Sequence, residues 1–138
     1  MYIMGKAKII VSISLAVLIT ALILGGCQAA DNTLTEKNNG NSINLKAGDT
    51  VVIKLESNPT TGYSWILDEK TDTSIVSAAD SEYVQSVKDE ELVGAGGHEI
   101  FTFKAISKGK TSIVLNYERS WEEDEEPLEI FEIDISVN

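Results

Sequence analysis

The stretch FEIDISV, residues 131–137, alternates without a break: Phe131, Ile133, Ile135 and Val137 are apolar, while Glu132, Asp134 and Ser136 are polar. Successive side chains of a strand point to opposite faces, so this pattern dictates a strand with one dry face and one wet face. A helix would scatter the same residues around its axis. Further runs, at 50–55, 63–67, 74–78, 82–87, 99–106 and 111–117, are rich in the β-branched and aromatic residues that suit a pleated surface, and the last strand is expected over 128–137. Leu128 and Ile130 are out of phase with Phe131, which predicts a β-bulge or a late strand start between Ile130 and Phe131.

Turn chemistry separates the runs at Ala47-Gly48-Asp49, Asn58-Pro59, Gly94-Ala95-Gly96-Gly97 and Lys108-Gly109-Lys110. Seven or eight short strands in about 100 residues, with no helical spacing, predict an all-β fold: an immunoglobulin-like antiparallel β-sandwich. The core candidates are Val52, Ile53, Leu55, Trp65, Leu67, Ile75, Val84, Phe101, Phe103, Ile113, Leu115, Tyr117, Ile133 and Ile135. Val52 and Ile53 point to opposite faces, so only one of that pair belongs inside.

The first quarter of the 138-residue chain breaks this pattern. Residues 1–8 carry Lys6 and Lys8 and no acid, residues 9–24 (IIVSISLAVLITALIL) carry no charge, and Leu24-Gly25-Gly26 lead to Cys27. A positive start, an apolar middle and small residues at the end describe a secretory signal over residues 1–26. The apolar run 9–26 is 18 residues long, near the lower limit of about 17 to 20 for a membrane-spanning helix, so length does not separate signal from anchor. The lone cysteine directly after Leu-Gly-Gly resembles a lipobox, which implies a bacterial lipoprotein with Cys27 lipidated as the first mature residue. An uncleaved anchor is the alternative. Either places the domain on the extracytoplasmic side of a cell membrane, held there at its N-terminus. Residues 28–42 are polar, with Leu34 the one large apolar side chain, and are expected to form a flexible tether. The folded domain is expected over 43–138.

With Cys27 lipidated, the mature chain has no thiol, so no disulfide is expected and the fold rests on its core. Lys6 and Lys8 leave with the signal, which reduces the 11 basic residues to 9 against 22 acids, a net charge of −13. Such a surface repels nucleic acid and anionic lipid. The acidic runs Glu122-Glu123-Asp124-Glu125-Glu126 and Asp89-Glu90-Glu91 read as solvated loops; a calcium loop would need alternating oxygen ligands and a turn glycine, which the first run lacks. One histidine, His98, cannot supply a zinc site alone, and no nucleophile's turn surrounds it. It reads as an ordinary residue at a strand start. No metal, cofactor or catalytic residue is assigned, and the chain is not read as an enzyme.

A small sandwich without catalytic residues acts through its loops. Three have unusual composition. Asn58-Pro59-Thr60-Thr61-Gly62 joins an Asn that bonds its own turn, a Pro with fixed φ and a Gly able to take positive φ, so it is stiff. Gly94-Ala95-Gly96-Gly97 is almost bare of side chains and lets a backbone approach closely. Arg119-Ser120-Trp121 closes a strand with two residue types that dominate interface hot spots.

Taken together and in this order, NPTTGYSW (Asn58 to Trp65), GAGG (Gly94 to Gly97) and RSW (Arg119 to Trp121) resemble the three loop motifs of the chagasin-like inhibitors of papain-family cysteine proteases. The resemblance spans residues 43–138, and departs at Ser120, where the family usually has proline. It implies an immunoglobulin-like fold and a monomer that occludes the protease reversibly. Asn58 to Gly62 would form a wedge with Thr60 and Thr61 over the catalytic cysteine. The other two loops would clamp the sides of the cleft, and Tyr63 and Trp65 would anchor the wedge. A non-catalytic adhesion or scaffold module of an envelope lipoprotein, using the same loops, is the rival reading.

Overall fold

The computed structural model describes residues 33–86, 94–122 and 124–138. The signal, Cys27, the acidic run Asp89-Glu90-Glu91 and Glu123 lie outside the described residues. Eight strands follow in chain order: β1 (Thr33–Leu34), β2 (Ser42–Leu45), β3 (Thr50–Ser57), β4 (Ser64–Leu67), β5 (Val76–Gln85), β6 (Gly97–Ala105), β7 (Gly109–Glu118) and β8 (Glu129–Val137). They form two four-stranded sheets, β1-β3-β6-β5 and β2-β8-β7-β4. This is the expected immunoglobulin-like sandwich.

The alternation that begins the sequence argument sets the core. Phe131, Ile133, Ile135 and Val137 of β8 are all buried, opposite Val51, Ile53 and Leu55 of β3 and alongside Ile113, Leu115 and Tyr117 of β7. Trp65 and Phe103 are buried as expected, while Leu67, Ile75 and Phe101 pack at the margin. Of the contested pair Ile53 is inside, and its phase-mates Val51 and Leu55 are inside with it, so Val52 faces outward. Val84 is 44% exposed, because β5 is an edge strand solvated along most of its length.

Three expectations are corrected. Neither the bulge nor the late start expected between Ile130 and Phe131 is present: β8 begins at Glu129 and pairs with β7 in unbroken register, and Ile130 points to the wet face at 49% exposure. The bulge occurs instead in β5, between Ala78 and Asp80, where it joins the two strands expected at 74–78 and 82–87 into one. The extra residue, Ala79, lets a broken alternation continue against β6.

The third correction concerns the tether. From Thr33 onward the segment is part of the fold. Leu34, the one apolar side chain in it, is 8% exposed in the core, a burial that stabilises by about 2 kcal/mol. Thr33 and Leu34 pair with Val52 and Ile53, and residues 42–45 pair with β8; both pairings are parallel, so the sandwich is not wholly antiparallel. Between them the polar residues act as ladder partners: the Asn39 amide donates to the Ile130 carbonyl at 2.9 Å and accepts from the Glu132 N–H at 2.8 Å, and the Glu36 carboxylate accepts from the Glu56 N–H. One short segment thus crosses from the first sheet to the second.

The strand directions put three connections at one pole. The β3–β4, β5–β6 and β7–β8 links all leave from that end, and the β2–β3 and β6–β7 turns sit at the other.

Candidate functional site

Asn58 organises the first loop. Its side-chain oxygen accepts from the Thr60 N–H at 3.3 Å and the Thr60 hydroxyl at 2.6 Å, and its carbonyl accepts from the Thr61 N–H at 3.0 Å and the Thr61 hydroxyl at 2.6 Å. Pro59 opens the resulting 3-10 turn, where its missing N–H costs nothing. Gly62 closes it at φ 84°, in the left-handed region. Pro59, Thr60 and Thr61 stand exposed at the crest.

The other two loops are bonded to this turn. The Asn58 side-chain amide donates to the Gly94 carbonyl at 3.3 Å. Gly94 is exposed at φ 85°, and among the described residues beyond its chain neighbours nothing lies within 4 Å of where a Cβ would stand. Gly96 passes close to the backbone of Ser57, and Gly97 is already the first residue of β6, buried where the Tyr83 ring and Val84 carbonyl leave no room for a side chain. The bare loop therefore divides: Gly94 belongs to the surface and Gly97 to the packing beneath. Ala95 lies half-buried between them.

On the opposite flank, Arg119 is turned inward. Its Nε donates to the Thr61 carbonyl at 3.2 Å, its Nη1 meets Glu122 at 3.1 Å, and its guanidinium lies 4.4 Å above the Tyr63 ring. Tyr63 stacks on Tyr117 at 5.4 Å and Trp65 tilts against the same ring at 5.0 Å. The column carries the loop's load into the core. Tyr117 completes it by accepting, at its hydroxyl, the Asn58 N–H at 2.9 Å. Trp121 lies against Gly62, where an added Cβ would stand 2.5 Å from the indole, yet it is 65% exposed. Ser120 beside it is exposed as well.

Glu99 was not singled out from the sequence, and Tyr117 was expected only as a core residue, which it is, without the role of its hydroxyl. Glu99 occupies an inward-facing place on β6, in phase with Phe101 and Phe103. Its carboxylate accepts from the Ser57 hydroxyl at 2.6 Å on β3 and from the Trp65 N–H at 3.3 Å on β4, bridging the two sheets under the loops. A carboxylate at an inward position was the readable signal. His98 lies on β6 opposite Glu56 and Val84, an ordinary strand residue as expected.

The site is thus one surface built from three loops, with Thr60, Thr61, Gly94, Ser120 and Trp121 outermost. The profile of the Chagasin family peptidase inhibitor I42 matches residues 44–135, a span that holds all three loops. The chain belongs to the chagasin family of peptidase inhibitors. Such proteins block peptidases and are not enzymes. Chagasin of Trypanosoma cruzi is 31% identical over 108 residues, covering 76% of this chain and 96% of the relative. Amoebiasin-2 of Entamoeba histolytica is 33% identical over 112 residues, 78% of this chain and 86% of the relative. Among solved structures, the cysteine protease inhibitor EhICP2 from Entamoeba histolytica superposes on this chagasin-family chain with a TM-score of 0.69 at 27% identity, covering 78% of this chain and 95% of that one.

Proposed function

We propose that this chagasin-family cysteine protease inhibitor acts on papain-family enzymes by occlusion, with Asn58 to Gly62 as the wedge. Thr60 and Thr61 lie over the protease's catalytic cysteine. The loop at Gly94 to Gly97 and the loop at Arg119 to Trp121 flank the cleft. What carries the reading is the convergence of all three loops into one hydrogen-bonded crest, with hydroxyls and an indole outermost. A preorganised crest binds without ordering its loops, which removes part of the usual cost of association. No peptide bond need be offered in cleavable geometry, so the block is reversible.

The test is papain activity titrated with the soluble chain 28–138, with Thr60→Arg alongside. Stoichiometric, reversible loss of activity that the variant abolishes is expected, because a guanidinium at the crest has no room over a closed cleft. Full inhibition by Thr60→Arg would remove this loop from the active site. Full protease activity at micromolar wild-type protein would favour the adhesion-module reading.

We also infer that Cys27 carries lipid and holds the domain at the extracytoplasmic face of a cell membrane. The positive start, apolar run and Leu-Gly-Gly-Cys ending support it. Mass spectrometry of the membrane-extracted chain, showing diacylglycerol on an N-terminal Cys27, is the check.

A further inference from the structure

The end of the sandwich at which the chain enters is not the end that carries the loops. Thr33 pairs with Val52, close to the start of β3, whereas the wedge follows Ser57 at its far end. Five residues of strand separate those levels, about 17 Å at 3.3 Å per residue. Only residues 28–32 lie between Cys27 and Thr33, so whatever their conformation they reach at most about 20 Å.

Charge divides along the same axis. Lys46, Lys104, Lys108 and Lys110 are exposed at the entry end: Lys46 and Lys108 flank its turns, Lys104 pairs with Thr50, and Lys110 pairs with Ser136. Four exposed aspartates stand among them: Asp49 in the same turn as Lys46, Asp72 beside Thr111, Asp80 at the level of Thr102 and Val52, and Asp134, which accepts from Ser112. The loop end is different. Glu56, Asp124, Glu125, Glu126 and Glu129 are exposed there, and Arg119 spends its charge on Glu122 and Thr61. The net charge alone predicted repulsion from anionic lipid. Its distribution leaves the entry end near charge balance and the loop end acidic, so an anionic bilayer repels the loop end more, over the short range that salt permits.

We propose that the anchored inhibitor stands with its entry end on the bilayer and its wedge facing away, and so captures a soluble protease from the extracytoplasmic medium rather than one held at the membrane surface. This rests on the wedge and the lipid anchor inferred above. A protease domain of about 200 residues is roughly 40 Å across. Inverting the inhibitor to place that body between wedge and membrane would require a tether far longer than residues 28–32 provide. A bound protease therefore sits on the distal side.

The experiment uses the full lipidated chain in phosphatidylglycerol-containing vesicles, with a donor dye on Ala47→Cys or on Thr61→Cys and an acceptor on the lipid headgroups. Lipidated Cys27 leaves the introduced thiol as the one that labels. Energy transfer should be strong from position 47 and weak from position 61, and the contrast should shrink in pure phosphatidylcholine. Equal transfer from the two positions overturns the orientation, and a contrast indifferent to lipid charge overturns the electrostatic part. Separately, unlabelled vesicle-bound inhibitor should block added papain within about twofold of the soluble chain, and a loss beyond about tenfold overturns outward presentation. If the soluble chain itself fails on papain, the wedge reading falls and the proposed protease capture with it, while the dyes still decide the orientation. A Cys27 without lipid overturns the anchored arrangement.

Discussion

Strand β3 is bounded by two tight turns that look alike locally and behave differently. Before it, at residues 46–49, the Asp49 side chain accepts from the Lys46 N–H at 2.8 Å, Gly48 takes φ 96°, and the Gly48 N–H reaches the Ala105 carbonyl at 2.9 Å. After it, Asn58 accepts from Thr60 and Gly62 takes φ 84°. Each is closed by an Asx side chain and a left-handed glycine. Among the described residues, the first turn bonds only to itself and to its neighbour β6. The second is bonded to Tyr117, Gly94 and Arg119 and carries Trp121 on its glycine. Stiffness is therefore common to both turns, and what distinguishes the functional one is that separate loops depend on it.

Matched substitutions at the two glycines break this comparison most forcibly. Gly48→Ala and Gly62→Ala both impose a left-handed conformation on a residue with a Cβ, at about 1 kcal/mol or somewhat more. At Gly48 the new methyl meets nothing, whereas at Gly62 it collides with the Trp121 indole. Gly48→Ala should cost stability and leave papain inhibition unchanged. Gly62→Ala should weaken inhibition about a hundredfold, the sum of a strained crest and a displaced tryptophan. Inhibition constants that rise equally in both variants would show that the turn matters only as a turn.

Trp121→Ala isolates one part of that loss. The indole is 65% exposed, so its removal should hardly change the thermal midpoint. Desolvated against a protease, the same ring is worth about 2 kcal/mol, and inhibition should weaken roughly 30-fold. A change under about threefold, read from the titration, would confine Trp121 to covering Gly62.

Much of this was readable in advance, and the failures have a common cause. Period-two alternation is a signal about one face of one strand, so it located β8, β7 and β3 and their buried residues. It could not find Leu34, whose neighbours are polar because they serve as hydrogen-bond partners for β8 and β3 rather than as solvent-facing residues. Ile130 misled because an exposed isoleucine breaks the pattern without breaking the strand. At the site, the three loops were visible as compositions. Arg119 looked like a contact at a tip, and its inward course depends on Tyr63, 56 positions away in the sequence. Glu99 and the Tyr117 hydroxyl act through partners in the other sheet or a distant loop, which no local window contains.

That inward course makes Arg119→Lys a sharper probe than alanine. Lysine keeps the charge but has no planar fork to bond Thr61 and Glu122 while stacking on Tyr63. The pair with Glu122 is exposed enough to contribute little alone, so the loss should appear in the crest's geometry. Inhibition should weaken about tenfold, mostly through faster dissociation. An unchanged dissociation rate would mean that the column of rings holds the wedge without the guanidinium.

Acid should separate the crest's own turn from the crossover at residues 68–75, with the smallest effect of the set. The wedge is closed by an amide and two hydroxyls, none of which titrates. The crossover is pinned by Asp68, which accepts from the Lys70 N–H at 2.8 Å and the Asn116 amide at 2.9 Å. Those bonds, the backbone one first, hold its carboxyl below the ordinary value, as the Ser74 bonds hold that of Asp72. A depressed folded-state pKa means the unfolded chain binds the proton more readily. The stabilisation is complete above the ordinary carboxylate range, about pH 4, and disappears as pH falls through the lower folded value. Asp68→Asn should therefore unfold at lower urea than wild type at pH 7, and the gap between the two midpoints should close toward pH 2. A gap that stays constant across that range would mean the Asp68 contribution is one of shape, with its charge incidental.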